Sequence, residues 1–289
     1  MSEKSILITD LDNTLFDWVD IWYRSFSAML DSVVATTGID RDKLIPEIRR
    51  VHQRHGTSEY AFLLEEVPSL VEYCNGRDPV DVFEDAIRSY RSTRKEALKL
   101  FYGVMDSLVQ IKGSGALIFG YTESMAFYTR FRIQRLELDG VIDILFSPKD
   151  HDIPIGMDIE TLRRYPSDAY ELKKTIHNYT PKGSLKPDAD VLEEIIMRSG
   201  LRKCEAVYVG DSLHKDVAMA KTLGVDHAWA KYGVAQQKPE YQLLRDVTHW
   251  TDEDVEREKR IKQADVSPEV TLESGFPELL KHFRFRTNA

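Results

Sequence analysis

Cysteine is almost missing from this chain: Cys74 and Cys204 are the only two in 289 residues. They lie far apart without metal-ligand spacing, which excludes a disulfide framework and a zinc site and leaves two buried or idle thiols as the expectation. Long hydrophobic runs are missing too. No window approaches the roughly 20 apolar residues of a membrane span, and the apolar run in MSEKSILITD is too short, and too soon followed by acids, for a signal-peptide core. The expectation is a cytoplasmic protein with no membrane partner. Positive charge is in deficit, with 39 lysines and arginines against 48 aspartates and glutamates and a net charge of -9. That balance argues against nucleic acid held by bulk electrostatics, and an anionic small substrate would need positive charge concentrated locally. No internal repeat or low-complexity segment is present, so solenoids and propellers are excluded.

What the chain does have is length for more than one typical domain, which suggests a large α/β domain with an inserted or appended module. It is organised around ILITDLDNTLF, residues 6–16. The short β-branched run reads as a strand buried on both faces. Asp10 and Asp12 then fall where the strand gives way to a loop, the end that faces the ligand crevice in an open parallel sheet. Two acids at a spacing of two point the same way on extended backbone. Held that close, they favour one member keeping its proton, so the pair can supply a nucleophile and an acid. Read alone, DLDNT is equally a turn, since Asp and Asn offer local hydrogen bonds to a tight bend.

Residues 17–101 carry helical signals. Trp18, Ile21, Trp22, Phe26, Met29, Leu30 and Val33 mark one helix face, and Asp78 with Pro79 supplies a cap and a first-turn proline. About four or five helices fit this block. After a helix over Val104–Lys112 come apolar strands at 115–122, 141–146 and 206–212, with DHAWAKYG as the last. Helices are expected at 124–136, 159–179, from SLKPD to Ile196, and at 213–223 with Gly224 as C-cap. Alternating strands and helices imply a parallel, doubly wound sheet. The tail beyond Gln236 is charged, its DEDVEREKRIKQAD run reads as a solvated face, and FPELLKHF suggests a closing helix.

Polar clusters therefore end three separate strands: Asp10, Asp12 and Thr14; Thr122; and Asp211 with Asp216. Lys186 precedes a helix. In this order, DLDNT, YTES, LKPD and GDSLHKD resemble the four motifs of the haloacid dehalogenase superfamily, a group of aspartate-nucleophile phosphatases and phosphotransferases. The resemblance implies an α/β, Rossmann-like core over 1–16 and 103–289 and an α-helical cap domain over 17–102, inserted between the first two motifs. Such a cap would close over the site, exclude water and choose the leaving group.

The resemblance implies a Mg²⁺-dependent phosphatase acting on a small phosphomonoester. Phosphoryl transfer is mainly positioning and electrostatic stabilisation, and an anionic attacker first needs its charge neutralised. Asp10 would be the nucleophile and Asp12 the acid and base. Lys186 would place a cation on the transferring group and on Asp10. Thr122 would offer its hydroxyl, and Glu123 its backbone N–H at a helix entry. The metal would be held by Asp10, the backbone carbonyl of Asp12 and Asp211, with Asp216 bound through water or acting as an orienting partner. Dehalogenating relatives typically lack an acid at the position of Asp12, so phosphoryl transfer is favoured. The alternatives are a phosphomutase or other phosphotransferase, and a non-enzymatic phosphate-sensing module.

Two features stand outside this pattern. Arg49, Arg50, His52, Arg54 and His55 form a basic cluster that either meets a second anionic or polyol group or is a solvated helix end. Roughly forty residues between Phe146 and Lys186 exceed what a strand connection needs. This insertion, at about 150–183, either brings Arg163, Arg164 or Tyr165 towards substrate or mediates self-association. It also makes Lys182 a competitor of Lys186, although Lys186 has the proline and the following helix. Phe16 and Trp18 either wall the leaving group or pack in a core.

Overall fold

A computed structural model describes residues 2–150, 165–235, 238–261 and 265–286. Contacts divide the chain into two compact units, one built on a sheet (Met1–Asp17, Lys99–Val234, Ala264–Ala289) and one helical (Trp18–Leu98, Ala235–Gln263).

The sheet unit opens with β1 (Ser2–Lys4) and β2 (Ile6–Thr9). It continues through β3 (Leu117–Tyr121), β4 (Ile144–Ser147), β5 (Ile176–Tyr179), β6 (Ala206–Gly210), β7 (Asp226–Trp229), β8 (Val270–Thr271) and β9 (Phe283–Phe285). Seven of these form a sheet in the order β5-β4-β3-β2-β6-β7-β8, with parallel pairing throughout. The fold is an α/β, doubly wound parallel sheet. β2 lies between β3 and β6, where the winding reverses, so its carboxyl end opens on the crevice where such sheets bind ligands. Its central place explains its composition, because Ile6, Leu7 and Ile8 are all fully buried and a strand covered on both faces has no polar side to show. Tyr121, Phe119, Leu192, Ile195 and Tyr208 continue this core. Phe101 N–H donates to Leu15 C=O at 2.9 Å and Phe16 pairs with Leu100, so the chain leaves and re-enters the sheet unit side by side.

The sheet runs further than the sequence suggests. Residues 159–179 read as helical, yet 176–179 is the edge strand β5, in register with β4 from Ile144↔Ile176 to Ser147↔Tyr179. Its IHNY has no strong alternation, and the strand is made by its partner. The Asp139 carboxylate accepts from the N–H groups of Lys173, Lys174 and Thr175 at 2.8–3.0 Å and so aims the chain at β4. Before it, Ser167–Tyr170 is a single 3-10 turn; residues 151–164, with Arg163 and Arg164, lie outside the described residues. β7 is not the last strand, since β8 follows it. FPELLKHF forms two short turns, and its final residue opens β9, which pairs with β1.

The helical unit contains α1 (Trp18–Thr37), α2 (Arg41–His55), α3 (Leu63–Glu66), α4 (Pro68–Cys74), α5 (Pro79–Val82) and α6 (Glu84–Ala97). α1 buries Ile21, Trp22, Phe26, Met29, Leu30 and Val33, the face its spacing predicts, while Trp18 is partly exposed. The Asp78 side chain caps α5 by accepting from Val80 N–H. Ala235, Leu244 and Val247 complete this core. The assignment of 103–289 wholly to the sheet domain is therefore corrected: Ala235–Gln263 packs with the helices because its apolar residues fill their interior.

The basic cluster of α2 is largely tied up locally. His52 is buried and its Nδ1 lies 2.7 Å from Val247 C=O. Arg54 and His55 share the Glu66 carboxylate at 2.9 and 2.8 Å, and Arg50 is exposed. Cys74 is buried and Cys204 exposed, both free. Among the described residues no helix is long and apolar enough to cross a membrane.

Candidate active site

The loop after β2 is shaped by its own residues. Asp10 N–H still donates to Val209 C=O at 2.8 Å, holding Asp10 at the sheet end. Asn13 takes the left-handed conformation at φ 58°, which Asn tolerates better than most side chains. Thr14 then folds back so that its Oγ1 donates to Asp10 Oδ2 at 3.2 Å.

Lys186 arrives from the LKPD loop and is buried against this carboxylate. Its Nζ donates to Asp10 Oδ1 at 2.6 Å, to Asp216 Oδ1 at 2.9 Å and to Tyr121 C=O at 3.0 Å. The rings of Tyr121 and Tyr208 lie 4.7 and 5.6 Å from the ammonium, within cation–π range. Lys182 is exposed, so the choice between the two lysines falls on Lys186. Two carboxylates hold the Lys186 ammonium charged well above its ordinary range, although burial alone would push it down.

Asp211 and Asp216 follow β6. Asp216 accepts from the Tyr208 phenol at 2.8 Å and from Ser212 N–H at 3.1 Å. It bends back over Gly210, where a Cβ would stand 2.3 Å from the Asp216 Cγ, so only glycine fits. Oxygens of Asp10, Asp211 and Asp216 lie within 4.8 Å of one another. Burial raises the Asp10 carboxyl to about 7; Lys186 opposes this, while Asp216 and Asp12 add to it. Burial, then Asp10 and Asp216, also push the Asp211 carboxyl well above the carboxylate range. Three crowded hard-oxygen donors are the set that suits a divalent cation such as Mg²⁺, which relieves the mutual repulsion. The Tyr232 phenol donates to Thr14 C=O at 2.6 Å, and a Cβ on Gly233 would lie 1.7 Å from Asn13 C=O, so the turn after β7 packs on the loop after β2.

Asp12 turns to a different set of partners. Its Oδ2 accepts from Ser124 Oγ at 2.6 Å and Thr122 Oγ1 at 3.2 Å, and its Oδ1 from Arg132 at 3.2 Å. Thr122 sits at the end of β3, its N–H donating to Phe146 C=O at 3.0 Å. Glu123 differs from expectation. The helix α7 (Val104–Gly113) precedes β3, and α8 (Ala126–Arg135) begins three residues beyond Glu123, so Glu123 N–H is not in its first turn. Its carboxylate instead accepts from Lys186 N–H at 2.9 Å and from Lys215 Nζ at 3.1 Å, tying the second, third and fourth motifs together. Ser124, Arg132, Tyr121, Tyr208 and Tyr232 carry no role of their own in the sequence pattern, although Tyr121 and Ser124 lie within YTES. The one readable signal was the Thr122 and Ser124 hydroxyl pair directly after a strand.

A family model described as haloacid dehalogenase-like hydrolase matches residues 168–230, which hold Lys186, Asp211 and Asp216. Over that stretch the chain is similar to haloacid dehalogenase-like hydrolases. Solved structures share the fold of this chain along nearly its whole length. YfnB of Bacillus subtilis, named as a HAD-hydrolase bound to magnesium, is 14% identical with a TM-score of 0.51, covering 97% of this chain and 98% of that one. A 2-haloacid dehalogenase from Pseudomonas syringae pv. tomato is 18% identical with a TM-score of 0.52, covering 96% and 98%. A protein of Haemophilus somnus named as a predicted phosphoglycolate phosphatase is 15% identical with a TM-score of 0.50, covering 97% and 98%. No curated protein matches the chain.

Proposed function

We propose that this protein is a Mg²⁺-dependent phosphatase that hydrolyses a small phosphomonoester through an aspartyl phosphate on Asp10. The observation that carries the reading is Lys186 Nζ held at 2.6 Å from Asp10 and 2.9 Å from Asp216, with Asp211 in the same oxygen cluster. These residues come from distant parts of the chain, and structural packing alone gives no reason to gather like charges there.

Asp10, Asp211 and the backbone carbonyl of Asp12 would hold the cation. The oxygens of Asp216 already take Lys186, Tyr208 and Ser212 N–H, so Asp216 serves through water or as an orienting partner. When bound, the cation supplies charge neutralisation that lets one anion approach another. Asp10 attacks phosphorus, the P–O bond to the alcohol breaks, and its electron pair leaves on the ester oxygen, which takes a proton from Asp12. Asp12 then removes a proton from the water that attacks the acyl phosphate, freeing Asp10 and releasing inorganic phosphate. Lys186 balances charge on Asp10 and the transferring oxygens. A departing halide needs no proton, so dehalogenation would leave Asp12 without its role as an acid.

The test is release of inorganic phosphate from p-nitrophenyl phosphate and a panel of phosphorylated metabolites, with Mg²⁺ and with EDTA. Turnover should need Mg²⁺ and fall at least about 10³-fold in Asp10→Asn, as removal of a nucleophile does. Undiminished release by Asp10→Asn would overturn the assignment.

A further inference from the structure

Arg132 belongs to none of the four motifs, yet it is buried on α8 and reaches the site. Its guanidinium lies 5.9 Å from the centre of the Phe16 ring. One terminal nitrogen is shared between Asp12 Oδ1 at 3.2 Å and Ser124 Oγ at 3.1 Å. Ser124 Oγ in turn donates to Asp12 Oδ2 at 2.6 Å, and Thr122 Oγ1 reaches the same oxygen at 3.2 Å. Both Asp12 oxygens are thereby fixed by partners on one side of the crevice. A buried ion pair of this kind is a poor source of stability, because desolvation offsets most of the attraction, but a good way to fix one orientation. The planar, forked guanidinium is a geometry that lysine does not reproduce.

We infer that Arg132, acting with Ser124, is a positioning residue that sets the direction of the Asp12 carboxyl, and so its reach to the leaving-group oxygen and to the attacking water. This rests on the phosphatase reading above. Arg132 works through Asp12, so its contribution vanishes when Asp12 has no carboxyl. A guanidinium that bound the substrate phosphoryl group itself would act whether or not Asp12 were there.

The experiment is a double-mutant cycle on the full chain with Mg²⁺, using p-nitrophenyl phosphate and an alkyl phosphate such as glycerol 3-phosphate. Arg132→Gln should lower kcat about 10- to 100-fold, part of what a general acid and base supplies, with KM and inhibition by inorganic phosphate unchanged. The alkyl ester should suffer more than the nitrophenyl ester, whose leaving group needs no proton. In an Asp12→Ala background, Arg132→Gln should change kcat by less than about twofold, the near-complete non-additivity expected of residues acting as one unit. Additive losses, or a rise in KM with kcat preserved, would overturn the inference while leaving the phosphatase reading intact. A wild-type protein that turns over neither ester would overturn that reading and the inference with it. Arg132→Lys keeps the buried charge and carries the same cycle if Arg132→Gln does not fold.

Discussion

The carboxyl end of the sheet and the interior of the helical unit both bury ionisable side chains, and they satisfy them in opposite ways. In the helical unit Glu47 and His52 meet neutral partners. Glu47 accepts from Ser69 N–H and Oγ at 2.8 and 2.7 Å, and His52 has its Nδ1 on Val247 C=O. Burial then lowers the His52 pKa to about 4, keeping the ring uncharged at neutral pH. At the sheet end, Asp10, Asp211 and Asp216 crowd together around Lys186 from separate stretches of chain. Neutral pairing makes burial tolerable, whereas the crowding of like charges raises the energy of the resting protein, and under the proposed function a cation would relieve it. The contrast separates buried polarity that serves packing from buried polarity that serves chemistry.

The largest expected break in this contrast is Lys186→Met. It leaves two buried carboxylates without their counter-charge and should cost about 3–5 kcal/mol of stability at neutral pH, read by urea unfolding; a change under 1 kcal/mol would mean that solvent, not Lys186, balances them.

Next comes acid. The folded pKa of His52 lies below its ordinary 6.5, so the unfolded chain takes up a proton first as pH falls. Its contribution is complete above pH 6.5 and is lost between 6.5 and about 4, worth roughly 3 kcal/mol at 1.36 kcal/mol per pH unit. His52→Gln should flatten that part of the stability profile, and an unchanged slope would show that other groups govern it.

At the sheet end the corresponding probe is metal. Mg²⁺ at roughly 100 times its dissociation constant should stabilise the protein by about 2.7 kcal/mol. Thermal melting should show this rise in wild type and lose it in Asp211→Asn. The smallest effect belongs to Glu47→Ala, which strands a buried N–H and should cost about 1–3 kcal/mol without altering the response to Mg²⁺.

The parts of the molecule legible in the sequence are those where local pattern and tertiary demand agree. Ile6–Ile8 reads as a doubly covered strand because it is one, and the α1 face follows helical spacing. Lys186 stands out from Lys182 through Pro187 and Asp188, whose side chain accepts from Val191 N–H at 3.1 Å and starts the helix there. What escaped depends on partners distant in sequence. β5 is a strand because β4 lies beside it. Ala235–Gln263 joins the helices through Leu244 and Val247, which carry no local sign of their destination. Arg132 reads as one more basic residue in the last turn of a helix, and its contact with Asp12 appears only once the chain is folded.

The closeness of Gly233 to Asn13 also reaches beyond mechanism. Any side chain at 233 must displace the Asn13 backbone in the loop that follows Asp10, so, under the proposed function, random mutagenesis should return inactive clones at this position. Selection for new specificity would do well to leave this glycine alone and spend its diversity elsewhere.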